Sequence, residues 1–252
     1  MSLCKDCVVA VTHDGTPTGK IQTVGGVETY LALPANEDYP KDKAIIFCAD
    51  LFGIKFVNNQ VQCDDFARAL GIAVYAPDYL HDDAVTDAIF GDPSWDIARD
   101  WLPRHTAAQT RPPLDALIAS LKAQGVSKFG ATGYCFGGRY ALDLAQNNAV
   151  HVAIISHPSL LKVPEDFVKL LEKSTVPLLV NSCEVDPVFG SEAQEATDRV
   201  LGEGKYEPGY ERTYWPGCTH GFAVRGDMND PLVKAGKEGA FKASVDWFAK
   251  HL

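Results

Sequence analysis

Residues 128–145 read KFGATGYCFGGRYALDLA, and this stretch decides the fold. Lys128–Thr132 has the short, largely apolar character of a buried strand, whereas Phe136–Gln146 has the apolar spacing of a helix. Between them lies Cys135, at the sharp turn from strand to helix, with a glycine two residues away on each side. Larger side chains at those two positions would collide with neighbouring backbone, and a helix N-terminus stabilises a thiolate and an oxyanion. The pattern predicts a nucleophilic cysteine on an α/β scaffold.

Strand-like and helix-like segments alternate along the rest of the chain. Seven short apolar runs are predicted to be strands: Val27–Leu33, Ala44–Ala49, Ile72–Ala76, Lys128–Thr132, Val152–Ser156, Pro177–Asn181 and Tyr210–Tyr214. Six segments have helical spacing: Val57–Leu70, Pro113–Ala123, Phe136–Gln146, Pro164–Lys173, Glu192–Leu201 and Leu232–His251. Several strands are apolar on both faces, which is typical of a parallel sheet covered on both sides. The alternation predicts an α/β fold, with a mostly parallel twisted sheet and helices on both faces.

Two segments depart from this alternation. The sequence VGGVETYLALP (residues 24–34) is typical of an antiparallel hairpin around Gly25 and Gly26. Residues 80–112 mix acidic, aromatic and proline residues without a clear period, and we interpret them as an excursion over the sheet that forms a lid or a pocket wall. Because the chain has no repeat and no Gly/Ser-rich linker, residues 1–252 are predicted to form a single domain.

Composition excludes several classes of protein. The chain has 252 residues with 23 basic and 33 acidic side chains, which gives a formal net charge of −10, and 46% of its residues are hydrophobic. This apolar content argues against disorder, and the negative charge argues against a nucleic-acid partner. No apolar run is long enough to span a membrane. A small-molecule substrate is the expected partner, and a homodimer is left open.

The seven cysteines are an odd number, and the N-terminal residues lack the basic and apolar regions of a signal peptide. Both features indicate reduced thiols in the cytoplasm. Cys4 and Cys7 form a C-x-x-C pair, but His13 is the only further ligand nearby, so we interpret the pair as incidental and predict no metal site. Four others are expected to be core residues or neighbours of the site: Cys48, Cys63, Cys183 and Cys218.

An elbow of this kind predicts two later partners, an acid and then a histidine, each in a loop after a strand. Asp186 follows the predicted strand Pro177–Asn181 closely, with Glu184 as a neighbouring carboxylate. His220 follows the last predicted strand and lies in a loop flanked by glycines. Each residue alone is a weak signal, because turn-forming acids and loop histidines are common. The occurrence of all three residues in this order is a much stronger signal.

Three motifs together resemble the dienelactone hydrolase family of α/β-hydrolases: GYCFGG (residues 133–138), EVDPVFG (184–190) and CTHGFAVRG (218–226). The resemblance extends roughly from Ile21 to Leu252. It implies an α/β-hydrolase fold and a Cys–His–Asp triad that hydrolyses lactones or enol esters without a cofactor. By motif, it assigns Cys135 as the nucleophile, His220 as the base and Asp186 as the acid.

The remaining candidate residues surround this triad. The backbone N–H groups of Phe136 and Leu51 are expected to form the oxyanion hole. Asp50 stands where bacterial members of the family have a glutamate that holds the resting thiol, and whether this shorter side chain reaches Cys135 is left open. Arg225 resembles an arginine that binds a substrate carboxylate, although its spacing from His220 differs by one residue, and a solvated loop arginine is the alternative.

Two more residues are candidates for substrate binding or for support of the site. His157 directly follows the predicted strand Val152–Ser156 and is expected either to line the pocket or to play a structural role. Tyr134 precedes the nucleophile. Three functions are compatible with the whole pattern: a hydrolase of lactones or small carboxylic or enol esters, another acyl-transfer or carbon–carbon-cleaving enzyme of secondary metabolism, and a non-catalytic ligand receptor or redox sensor.

Overall fold

In the computed structural model of the chain, residues 15–86, 89 and 92–252 are described. The strands are β1 (Lys20–Val24), β2 (Val27–Ala32), β3 (Lys43–Cys48), β4 (Ala73–Pro77), β5 (Lys128–Tyr134), β6 (Val152–Ser156), β7 (Leu178–Val185) and β8 (Tyr210–Thr219). The helices are α1 (Val57–Leu70), α2 (Ile97–Asp100), α3 (Ala107–Ala123), α4 (Phe136–Gln146), α5 (Glu165–Lys173), α6 (Ser191–Leu201), α7 (Phe222–Arg225) and α8 (Pro231–His251), with a 3-10 turn at Leu102–Arg104.

The eight strands form one sheet in the order β1-β2-β4-β3-β5-β6-β7-β8. β1 pairs antiparallel with β2, and β2 pairs antiparallel with β4, whereas all later neighbours are parallel. All residues of β6 are buried, as are all but the first of β3, because helices cover both faces of the sheet there. The α/β fold and the N-terminal hairpin are therefore as the sequence predicts.

Two apolar clusters lie on opposite faces of the sheet. One is packed by α3, α4 and α5 and contains Cys135 and Phe136. The other is packed by α1, α7 and α8 and contains Tyr134. Side chains alternate between faces along a strand, so consecutive residues at the end of β5 enter different clusters. No helix in the described part of the chain combines the length and the apolar character that crossing a bilayer requires.

The largest boundary error concerns α3, which begins at Ala107, six residues before the predicted start at Pro113, so Pro112 and Pro113 lie inside it. The strands β7 and β8 also continue past their predicted ends at Asn181 and Tyr214. A proline inside a helix removes a hydrogen bond to the carbonyl four residues earlier. For Pro113 that carbonyl belongs to Gln109, and His81 Nε2 lies 2.9 Å from its oxygen. A hydrogen bond from outside the helix thus replaces the one that the proline removes.

The described part of residues 80–112 contains the short helix α2, the 3-10 turn at Leu102–Arg104 and the start of α3, joined by turns and irregular backbone. Trp101 is buried, stacks on His105 at a centroid distance of 3.9 Å, and packs edge-on against Phe136 at 4.9 Å. This segment therefore covers the start of α4, directly beside the elbow. Its role as a lid or pocket wall, and the single-domain interpretation, stay predictions.

Candidate active site

Cys135 sits between β5 and α4 in a strained backbone conformation, with φ 50° and ψ −114°. A β-carbon at Gly133 would lie 2.3 Å from the carbonyl oxygen of Gly137, and one at Gly137 would lie 2.1 Å from that of Cys48. Both contacts are to backbone, which cannot rotate away. The two glycines therefore let β5 turn sharply into α4 and let α4 pack against the end of β3.

We expect Gly137→Ala to lower the free energy of unfolding by about 2–3 kcal/mol, because the added methyl group overlaps the Cys48 carbonyl and forces the backbone to move. Urea denaturation measures the change. Gly204→Ala is the control, since Gly204 has φ +76° but open space around its β-carbon position. That variant should lose only about 1 kcal/mol, the cost of a left-handed residue. Equal losses in the two variants would contradict the steric argument.

The acid and the histidine come from the ends of β7 and β8. His220 Nδ1 lies 3.0 Å from both carboxylate oxygens of Asp186, and both side chains are buried. Asp186 Oδ1 also accepts hydrogen bonds from the backbone N–H groups of Val188 (3.0 Å) and Phe189 (2.9 Å). The carboxylate is thus fixed by its own loop. Glu184, the neighbouring candidate, instead accepts a hydrogen bond from the Gly217 N–H.

The electrostatics link His220 to Cys135. Burial by itself lowers the pKa of His220, but the charge of Cys135, together with hydrogen bonds to Asp186 and Cys135, raises that pKa to about 10. Since Nδ1 faces Asp186, Nε2 is the ring nitrogen that is left for the thiol. The direction of this shift favours the protonated ring, the form of His220 that would accompany an ionised Cys135.

Ser159 is a further neighbour of the thiol. Its Oγ lies 3.4 Å from Cys135 Sγ, and its side chain is buried. Sequence reasoning gave Ser159 no role, because it follows β6 in a loop whose path no local pattern shows. The left-handed backbone of His157 (φ 37°) and of Leu160 (φ 62°) bends this loop over the elbow.

His157 and Tyr134 lie behind the triad rather than at an open surface. The His157 ring is fully buried and meets the His220 ring nearly edge-on at 5.0 Å. Burial, reinforced by the charges of His220 and Arg225, lowers the pKa of His157 well below its usual value, so it is a neutral packing partner. Tyr134 is also buried, stacks on Phe47, and accepts a hydrogen bond from Gln62 at 3.0 Å. These contacts favour a supporting role for both residues over direct substrate binding.

Asp50 and Arg225 form a buried ion pair next to the triad. Arg225 Nε donates to Asp50 Oδ2 at 3.1 Å, and neither side chain is more than 1% exposed. Asp50 Oδ1 accepts hydrogen bonds from Asn59 Nδ2 (2.9 Å) and from the Phe52 N–H (3.2 Å). Burial raises the pKa of Asp50, Arg225 opposes this, and the charge of Cys135 adds to it. Arg225 is therefore not a solvated loop residue. Asp50 is close enough to Cys135 for the charges of the two side chains to interact.

The two predicted oxyanion donors lie on adjacent elements. Phe136 is the first residue of α4, so its N–H has no acceptor within the helix. Leu51 lies in the turn after β3, which a hydrogen bond from Gly53 N–H to Asp50 O closes at 3.0 Å. The close approach of Gly137 to the Cys48 and Ala49 carbonyls holds this turn against the start of α4. The turn that carries Leu51 thus lies beside the first turn of α4, which carries Phe136, and their role as oxyanion donors stays a prediction.

The other thiols in the described residues are buried and unoxidised: Cys48, Cys63, Cys183 and Cys218. Burial raises the pKa of Cys48 to about 12 and that of Cys218 to about 11, so neither is a thiolate at neutral pH. Cys183 Sγ lies 3.8 Å from Asp186 Oδ2, beside the triad. Cys4, Cys7 and His13 lie outside the described residues. Within residues 15–86, 89 and 92–252, no group of three or more metal-binding side chains is arranged to hold an ion.

Sheet order, covering helices and the strained turn at Cys135 define an α/β-hydrolase fold, and the solved structures agree. A putative dienelactone hydrolase from Klebsiella pneumoniae superposes with a TM-score of 0.71 at 18% identity, over 88% of this chain and 92% of that one. The model of the dienelactone hydrolase family matches residues 27–252, and the chain belongs to that family.

Two fungal relatives match along nearly their whole length. The chain is 30% identical to hydrolase pyvD from Aspergillus violaceofuscus over 247 residues, which is 98% of this chain and 96% of the relative. It is also 30% identical to dienlactone hydrolase 1 from Gibberella moniliformis over 248 residues, which is 96% of this chain and 91% of that protein. These relatives and the family identify the protein as a hydrolase.

Proposed function

We propose that this protein hydrolyses a lactone or a small carboxylic or enol ester through an acyl-enzyme on Cys135. One observation carries the proposal: Cys135 on its strained turn is paired with buried His220, which Asp186 holds through Nδ1. This is the arrangement that nucleophilic catalysis requires, with a base beside the nucleophile and a third group that orients the base. The relatives that bear the name of dienelactone hydrolases support the lactone substrate class.

In the acylation step, the Cys135 thiolate attacks the ester carbonyl carbon and forms a carbon–sulfur bond. The negative charge that develops on the carbonyl oxygen is met by the Phe136 and Leu51 amides, each worth ~2.7–4 kcal/mol in typical oxyanion holes. The carbon–oxygen bond then breaks, and the proton on His220 Nε2 moves to the departing oxygen. Asp186 keeps the imidazole in the tautomer that this transfer needs.

In the deacylation step, His220 is neutral and accepts a proton from water as the water attacks the thioester. The carbon–sulfur bond breaks and the acid product leaves, so that thiolate and imidazolium are restored. A thiolate is a much better leaving group than an amide nitrogen, so the tetrahedral intermediate from an amide would return to reactant. The site thus favours lactones and activated esters over peptides. None of these steps draws on a metal or an organic cofactor.

Turnover of an activated aryl ester tests this sequence of steps. Because an aryl oxide leaves readily, deacylation should limit the rate, and the acyl group should accumulate on the enzyme. We expect mass spectrometry after an acid quench to find that group on the Cys135 peptide, released by neutral hydroxylamine as a thioester. Cys135→Ala treated identically gives the background. An acyl group on another residue, at native turnover, would contradict the proposal.

Product analysis separates hydrolysis from the alternative reactions on the same triad. A hydrolase converts each lactone into one hydroxy or keto acid, whereas a carbon–carbon-cleaving enzyme yields two carbon fragments. The proposal is limited to the lactone or ester group of the substrate, because the Arg225 guanidinium is already paired with Asp50 and neither side chain is exposed. A reactive thiolate is best preserved in a reducing compartment, so we propose the cytoplasm as its location.

A further inference from the structure

The segment His157–Ser159 crosses directly over the elbow and is held there by backbone. The Cys135 N–H donates to Ser156 O at 3.1 Å, and the Ser159 N–H donates to Cys135 O at 2.9 Å. Pro158 packs on Gly138, where an added β-carbon would lie 2.8 Å from the proline ring. These contacts fix the backbone of Ser159 beside Cys135, so that only rotation about its own side-chain bond can move the hydroxyl away from the sulfur.

The direction of the hydrogen bond between Ser159 and Cys135 follows from where the proton lies. By geometry alone, either atom of the 3.4 Å contact could donate. In the resting pair from which the proposed acylation starts, His220 carries the proton and Cys135 is a thiolate. A thiolate has no proton to donate, so the hydroxyl of Ser159 is the donor. The neutral hydroxyl of Ser159 then adds a hydrogen bond to the electrostatic effect of the nearby imidazolium.

We propose that Ser159 is a positioning residue that stabilises the resting thiolate of Cys135 by donating its hydroxyl hydrogen to the sulfur. The proposal rests on the assignment of Cys135 as the nucleophile. Hydrogen bonding to the charged form lowers the pKa of a group. A less basic thiolate is also a weaker nucleophile, with a Brønsted slope of about 0.4–0.5. Ser159 therefore keeps Cys135 ionised in acid solution, and the same bond makes the thiolate less reactive.

Alkylation of Cys135 by iodoacetamide across about pH 4–9 tests this balance, with the Cys135 peptide followed by mass spectrometry. Ser159→Ala loses a charge-assisted hydrogen bond to the thiolate. The pH at which alkylation reaches half of its maximal rate should therefore rise by about one pH unit. On the alkaline plateau the variant should react about threefold faster than the native protein, because its thiolate is more basic. The two profiles should therefore cross.

Two further variants separate this effect from structural disturbance. Ser159→Thr keeps the hydroxyl and should restore the native profile. Ser174→Ala removes a buried hydroxyl at the C-terminal end of α5, which donates to Ala145 O and to no residue of the site, and should leave the profile unchanged. A Ser159→Ala profile that overlays the native one, or that falls in parallel at every pH, would overturn the proposal. Because no ester is used, a failure here is distinguishable from a failure of the proposed hydrolysis.

Discussion

Cys135→Ala is expected to lower kcat/KM for an activated aryl ester by at least ~10⁴-fold, since removal of a triad nucleophile leaves only the binding site and the oxyanion hole. Cys135 is fully buried and directly precedes the first turn of α4, and the smaller side chain of alanine fits in its place. The fold and the affinity for a product acid should persist. Steady-state kinetics and circular dichroism measure the two properties separately.

Cys63→Ala is the matched control for this variant. Cys63 is also a buried thiol, but burial raises its pKa well above the usual value, and it packs on the opposite face of the sheet. Its replacement should leave kcat/KM within about twofold of native while lowering stability modestly through a small cavity. Retained turnover in Cys135→Ala would exclude the acyl-enzyme and favour a different reactive residue.

Arg225→Met is expected to lower the free energy of unfolding by about 3–5 kcal/mol at neutral pH, because it leaves the buried Asp50 carboxylate without its cation. Methionine fills much of the same volume, so lost packing contributes little. The exposed pair of Arg68 and Asp65 supplies the control. Arg68→Met should change stability by less than about 1 kcal/mol, as is usual for a surface ion pair.

The pH dependence of Arg225→Met follows from Asp50. Burial already raises the pKa of Asp50, and Arg225 restrains that rise. Without Arg225, the folded-state pKa climbs further above the unfolded value of about 3.9. A raised folded pKa means that stability is present at low pH and is lost as pH increases through that value. The difference in the free energy of unfolding between native protein and Arg225→Met should therefore become smaller as the pH falls from about 8 to about 5.

A double-mutant cycle isolates the pair itself. In Asp50→Asn/Arg225→Met neither charge remains, so the loss of stability should be smaller than the sum of the two single losses. Urea denaturation of the four proteins at one pH gives the coupling free energy. Additive losses would show that Asp50 and Arg225 act on stability independently, and would contradict the buried pair.

The strand–helix framework and the elbow follow from local sequence. Apolar runs of strand length and the spacing of Gly133 and Gly137 around Cys135 are short-range patterns, and each reflects a steric or burial requirement that operates over a few residues. The positions of Asp186 and His220 can be predicted from topology as well. Each follows a later strand, and the carboxyl ends of parallel strands lie at one edge of the sheet. The assignment of these three residues as catalytic stays a prediction.

The remaining neighbours of the site depend on contacts that no local pattern encodes. The sequence suggests the thiol as a partner of Asp50, and either a substrate carboxylate or solvent as the surroundings of Arg225, yet the two side chains bind each other across 175 residues of sequence. Ser159 meets Cys135 only because the chain takes a left-handed path after β6. The start of α3 could not be predicted for the same reason. The Gln109 carbonyl, which loses its helical donor at Pro113, is hydrogen-bonded by His81 from a distant loop.

The position of β8 at one edge of the sheet has a consequence for biosynthesis. His220 and Arg225 both follow β8, so a nascent chain that has emerged only as far as β7 contains the elbow but neither the base nor the cation of the site. In that chain Cys135 lacks the imidazolium that favours its ionisation. In a chain synthesised from its N-terminus, the site is therefore completed only once β8 and the helices after it have docked.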